Sequence, residues 1–231
     1  MKTLNKDQVD ILYEFTRKHY VEWYDLQTEL VDHLAHGIEE QWAVKPQLDF
    51  NQALKNEFKK FGIYGFSDIV EQKSNALSKF YRKEVWKSFK NYFKLPKIIV
   101  TLFSIWALFK FFHSFENKNY ILIPTVVGLF GFQLYHLINE SRKQKKKKKA
   151  TGKAWLFENV LNQMGGLIHL FNLGIYFPHI FDSNREWSLF GEIIFSTCVV
   201  LYFLMFYVAV NVVSPAIKEK FSKEYPEYKL I

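Results

Sequence analysis

Ser141–Lys153 reads SRKQKKKKKATGK, and from Arg142 to Lys149 every residue except Gln144 is cationic. Long apolar segments flank this run on both sides. Arg142, Lys143, Lys145, Lys146, Lys147, Lys148 and Lys149 can neither be buried nor cross a bilayer cheaply, so they stay on one side of a membrane. Short cytoplasmic connections collect Lys and Arg, which puts the run inside the cell and orients its neighbours. There it is expected to meet anionic lipid headgroups.

Outward from the run, composition points the same way. Of 231 residues, 49% are hydrophobic and 19% aromatic, with 24 Phe, 13 Tyr and 6 Trp, which is more than a soluble core of this size needs. The mean hydropathy of −0.12 averages a polar N-terminal part with an apolar C-terminal part. A net charge of +8 could suggest nucleic acid. The cations flank apolar segments, however, so lipid headgroups are the better account and no nucleic acid is expected. The single cysteine, Cys198, excludes an intrachain disulfide and a cysteine metal cage. Residues 1–18 show no signal-peptide pattern, which leaves the first span as the insertion signal.

Four spans are expected, at about 98–115, 120–138, 155–181 and 187–213, forming a four-helix transmembrane bundle over residues 95–231. The last two begin at Trp155 and Trp187, residues suited to the interface. The connections at 116–119 and 182–186 are nearly neutral, whereas those at 83–97, 142–153 and 218–223 are basic. Both termini are therefore expected in the cytoplasm, in a multi-pass protein of the bacterial cytoplasmic (inner) membrane.

Residues 1–94 read as a cytosolic helical domain with an amphipathic linker helix, so the fold class is all-α. Leu26, Leu30, Leu34 and Ile38 recur every four residues and predict a buried stripe. Asp49 can cap a third helix, Gly62 supplies a left-handed stop, and Ser67 or Asp68 can open the next helix. From Leu77 to Lys94, Trp86, Phe89 and Phe93 lie among Lys83, Lys87, Lys90 and Lys94, a pattern suited to a membrane surface.

Glu29–Glu40, reading ELVDHLAHGIEE, is followed by Phe50-x-x-Ala53-Leu54, by Phe61-Gly62 and by Ser67-Asp68-Ile69-Val70. This succession resembles the small helical HAAS-type domain of the DUF1700-like and permease-prefix group. The resemblance covers about the first third of the chain. It implies a sensing or partner-docking module on the cytoplasmic side, often found with PadR-like transcriptional regulators. Asp32, His33, Glu39 and Glu40 are then the candidate contacts for a cytosolic protein partner, and a homo-oligomer stays open. A competing reading is a metal site, because Glu29, His33, His36 and Glu40 share one helical face. One helix brings only adjacent pairs within reach of an ion, so neither metal nor cofactor is assigned.

Ionisable and amide side chains inside the spans are costly and usually face other helices. They are Lys110, His113, His136, Glu158, Asn162, His169, Asn172, His179 and Glu192. In the third span Glu158, Asn162, Gly165, His169, Asn172, Tyr176 and His179 form one polar or small seam. Interhelical hydrogen bonding explains such a seam, and a path for a proton, ion or small ligand is the alternative. Lys110 and Glu192 are expected to pair, directly or through His113 or His179. The patterns HExxH, GxxxxGK[ST] and GxGxxG are all absent, and no catalytic residue is assigned. The expected role is non-enzymatic sensing or regulation, with a small transporter or membrane enzyme using the seam as the rival.

Overall fold

The computed structural model describes residues 2–163 and 187–228. Every regular element among them is helical, and a lone bridge between Trp23 and Ala154 is the one strand-like contact. The chain is all-α, and it divides into two compact units.

The first unit takes Met1–Leu77 together with Lys146–Asn159. Helix α1 (Lys6–Lys18) opens with a reciprocal cap, in which Asn5 accepts from the Gln8 amide and the Gln8 side chain accepts from the Asn5 amide. Helix α2 (Tyr24–Val44) buries Leu26, Leu30, Leu34 and Ile38, the whole expected stripe. Asp49 caps α3 (Phe50–Lys59) by accepting from the Asn51 amide at 2.9 Å. Gly62 follows with φ of 76°, a conformation that costs glycine nothing. Phe15, His19, Phe58 and Phe66 pack edge to face and tilted, closing this core.

Gly37 lies in mid-helix, where glycine is ordinarily unfavourable. Here it makes room for Glu57, because a Cβ at position 37 would collide with that carboxylate. Glu57 is 1% exposed, and its Oε1 accepts from Gln41 at 2.6 Å and from Lys60 at 2.7 Å. The small residue and the buried polar network therefore require each other.

The second unit takes Ser78–Lys145 and Val160–Ile231. By contacts the two units part between Leu77 and Ser78. Helix α4 (Ser67–Lys90) turns Tyr81, Val85 and Phe89 inward in its second half, and the Tyr81 hydroxyl donates to the Ala209 carbonyl at 3.2 Å. Phe89 is thus buried rather than offered to a membrane surface, while Trp86 and Phe93 stay exposed beside the lysines. Helix α5 (Lys97–His113) follows. At about 1.5 Å per residue its 17 residues fall short of a hydrocarbon core of about 30 Å.

Helix α6 (Asn119–Thr151) is far longer than a span requires, because the basic run stays helical to its end. Lysine is a good helix former, and each like-charge pair one turn apart costs only about 0.2–0.5 kcal/mol. Gly152 then ends the helix with φ of 68°, its amide donating to the Lys148 carbonyl. Helix α7 opens at Leu156 and is described over 156–163, so most of the expected third span lies outside the described residues. Helix α8 (Leu189–Tyr207) continues through a π-helical turn (Val208–Val213) into α9 (Ser214–Glu224).

Among the described residues, two helical stretches, Tyr120–Thr151 and Leu189–Glu224, are long and apolar enough to cross a membrane. A third candidate exists if α4 and α5, bent by 83° at their break, count as one span. On α5 and α6, Ile99, Leu102, Phe103, Trp106, Val127 and Phe132 are exposed, surface that lipid would cover. Phe112, Ile121, Leu122, Phe195 and Val199 form the core where α5, α6 and α8 meet.

Candidate functional site

Trp155 precedes the first turn of α7, and an indole offers no oxygen to the free amides of a helix start. Asp25 supplies it. Its Oδ1 accepts from the Leu156 amide at 2.9 Å, and its Oδ2 accepts from the same amide at 3.1 Å and from Phe157 at 3.3 Å. A residue in the first turn of α2 thus caps a helix 131 positions away. Asp25 is 7% exposed, and burial raises its pKa above the ordinary 3.8, against the lowering pull of the amide hydrogen bonds.

Further contacts tie the same segment into the first unit. The Tyr24 amide donates to the Ala154 carbonyl at 2.7 Å, and the Tyr24 ring meets Trp155 edge to face. The Lys153 ammonium sits 3.7 Å from the centre of the Tyr24 ring. Lys148 pairs with Glu22 at 3.1 Å, and Lys147 with Glu158 at 3.2 Å. The cations expected to meet headgroups therefore split by role. Lys147 and Lys148 engage carboxylates, while Arg142, Lys145, Lys146 and Lys149 are exposed. Lys143 is exposed too and pairs with Glu140 at 2.6 Å.

The residues expected to contact a partner separate as well. Asp32, His33 and Glu40 lie on the exposed face of α2. Glu39 instead accepts from the Leu4 amide at 3.0 Å, which holds the N-terminal segment against α2. His33 packs against Phe61, His36 pairs with Glu40 at 3.2 Å, and Glu29 pairs with Lys73 at 2.7 Å. Of the four side chains of the considered metal face, His36 and Glu40 thus pair with each other, while Glu29 and His33 turn to other residues. Among the described residues, no group of three or more His, Cys, Asp or Glu could hold an ion.

In the second unit the expected direct pairing of Lys110 with Glu192 gives way to another, while the expected His113 does reach Glu192. Glu192, whose side chain is 4% exposed, meets His113 Nδ1 at 2.7 Å and Lys118 at 3.0 Å, while Lys110 is exposed. Lys118 also donates to the carbonyls of Phe112 and His113, at 3.1 Å each, so it closes the C-terminus of α5 as well. Lys118 lies in the turn before α6 and was outside the set expected within spans. Glu192→Gln is expected to cost about 1–3 kcal/mol, because it leaves a nearly buried ammonium without its counter-charge. Lys110→Gln should leave the midpoint unchanged, and thermal unfolding of both variants in detergent micelles checks the contrast.

His136 lies half-buried against the Phe206 ring, and Asn162 donates to Ser141 Oγ at 2.9 Å. That bond joins α7 to α6. His169, Asn172 and His179 lie outside the described residues. Sequence reasoning missed Asp25, and its one local signal is an acidic residue in a first helical turn. No protein-family model, curated protein or solved structure matches this chain.

Proposed function

We propose that the chain is a multi-pass protein of the bacterial cytoplasmic membrane, with both termini inside and four spans. Its N-terminal helical unit is a sensing or partner-docking module, and its role is regulatory rather than enzymatic. The observation that supports this reading is the grip of Asp25 on Leu156 and Phe157. The unit formed by residues 1–77 encloses the connection that leads from one apolar segment into the next. A change of state in either segment would reach the docking surface through this cap. The HAAS-type resemblance of 29–70 supports the same role, with Asp32, His33 and Glu40 as the exposed contacts and Glu39 holding the module together.

Affinity purification of the full chain in mild detergent, followed by reconstitution with the recovered partner, tests this reading. Charge reversal at Asp32 and Glu40 should weaken capture by about tenfold without loss of helix content. Altering bilayer thickness should shift partner affinity for the natural chain and not for Asp25→Ala. Equal capture by all variants would overturn the docking role, and thickness dependence that survives Asp25→Ala would overturn the coupling.

A further inference from the structure

Tyr20 adopts φ of 65° and is 89% exposed. Bulky side chains rarely occupy this left-handed region, and strain of this kind collects at binding sites. The ring borders an open cleft of about 770 Å³ within the first unit, inside the size range of small-molecule sites of about 300–1,000 Å³. Tyr13 and Tyr24 line the same cleft, their rings nearly parallel with an interplanar angle of 9°.

Three cations reach this cleft from three parts of the chain: Arg17 from α1, Lys148 from the last turn of α6, and Lys153 from the connection. Only two carboxylates, Asp10 and Glu22, share the lining, and Glu22 is already paired with Lys148. Arg17 is exposed and has no ion-pair partner among the described residues. A planar guanidinium beside ammonium groups suits the tetrahedral oxygens of a phosphate, which carries about −1.5 to −2 charges as a monoester. The exposed Tyr20 ring offers a face to a planar group on the same molecule.

We infer that this cleft binds a phosphate monoester, with Arg17, Lys148 and Lys153 on the phosphate and Tyr20 against the ring that carries it. Such a ligand would draw α1 and the connection together beside the Asp25 cap. The inference deepens the sensing reading by naming the chemistry sensed. Ligand binding is measured without the protein partner, so the two can fail separately.

Calorimetric titration of the full chain, in non-phosphate detergent and buffer, uses phenyl phosphate, inorganic phosphate and dihexanoyl phosphatidic acid as probes. Phenyl phosphate should bind more tightly than inorganic phosphate. Arg17→Gln and Lys153→Gln should each weaken it by about tenfold, while Lys145→Gln, the same charge change outside the cleft, should leave it unaltered. Tyr20→Gly should abolish the preference for the aryl ester yet raise the thermal midpoint, a combination that a purely structural Tyr20 would not produce. Phosphatidic acid binding tightest, with the same dependence on Arg17 and Lys153, would keep the phosphate site and assign its source to lipid. Absent binding, or binding weakened equally by Lys145→Gln, would overturn the proposal, because the basic run alone would then explain it.

Discussion

Asp25→Ala is expected to destabilise the first unit by about 2–4 kcal/mol, since the Leu156 and Phe157 amides lose their acceptor in a buried setting. The loss should be local before it is global. Hydrogen exchange across residues 154–163 should accelerate strongly, while amides in the middle of α2 change little. Asp25→Asn keeps an acceptor oxygen and should cost less. The two variants also differ in their pH response. The folded chain holds the Asp25 proton more tightly than the unfolded chain, whose carboxyl has the ordinary pKa of 3.8. The folded state therefore binds more protons between these two values, and stability falls as pH rises through that window. Above the folded pKa it stays level. Asn at this position should flatten that acid-side slope. Unchanged exchange in Asp25→Ala would mean that the cap carries no weight.

The second large effect runs against helix propensity. Replacing a mid-helix glycine by alanine ordinarily gains about 1 kcal/mol. Gly37→Ala should instead cost about 3 kcal/mol or more, because the new methyl meets the Glu57 carboxylate and the displaced group must give up Gln41 and Lys60. Glu57→Ala by itself should also destabilise, leaving the Gln41 amide short of an acceptor. Combined with Gly37→Ala it should cost less than the sum of the two, because the collision disappears. A double-mutant cycle by thermal unfolding measures this coupling. Stabilisation by Gly37→Ala would show that Glu57 moves aside freely.

Much of this architecture is legible residue by residue. The four-residue recurrence of Leu26, Leu30, Leu34 and Ile38 predicts the buried face of α2, and Asp49 and Gly62 mark the start and the stop of α3. Each of these signals lies within a few positions of what it specifies. The apolar runs after 119 and 188 likewise announce helices able to cross a membrane, since hydropathy needs no knowledge of neighbours.

The candidate site is legible only in part. Glu192 and His113 stand out as ionisable groups in apolar helices, yet the choice of Lys118 over Lys110 depends on where the turn before α6 places its side chain. Glu39 and Glu40 are adjacent and chemically alike. One bonds to Leu4 and the other pairs with His36 at the surface, a distinction set by their angle on α2.

The amino-acid sequence by itself determined the helices of residues 1–90, the cap at Asp49, the stop at Gly62 and the segments apolar enough for lipid, because these follow from local propensity and periodicity. Only the tertiary structure decided that residues 146–159 join residues 1–77, that Gly37 makes room for Glu57, and that Asp25 caps a helix 131 positions away. Hydrogen bonds and steric exclusion act through space, and their partners leave no mark in the spacing of residues along the chain.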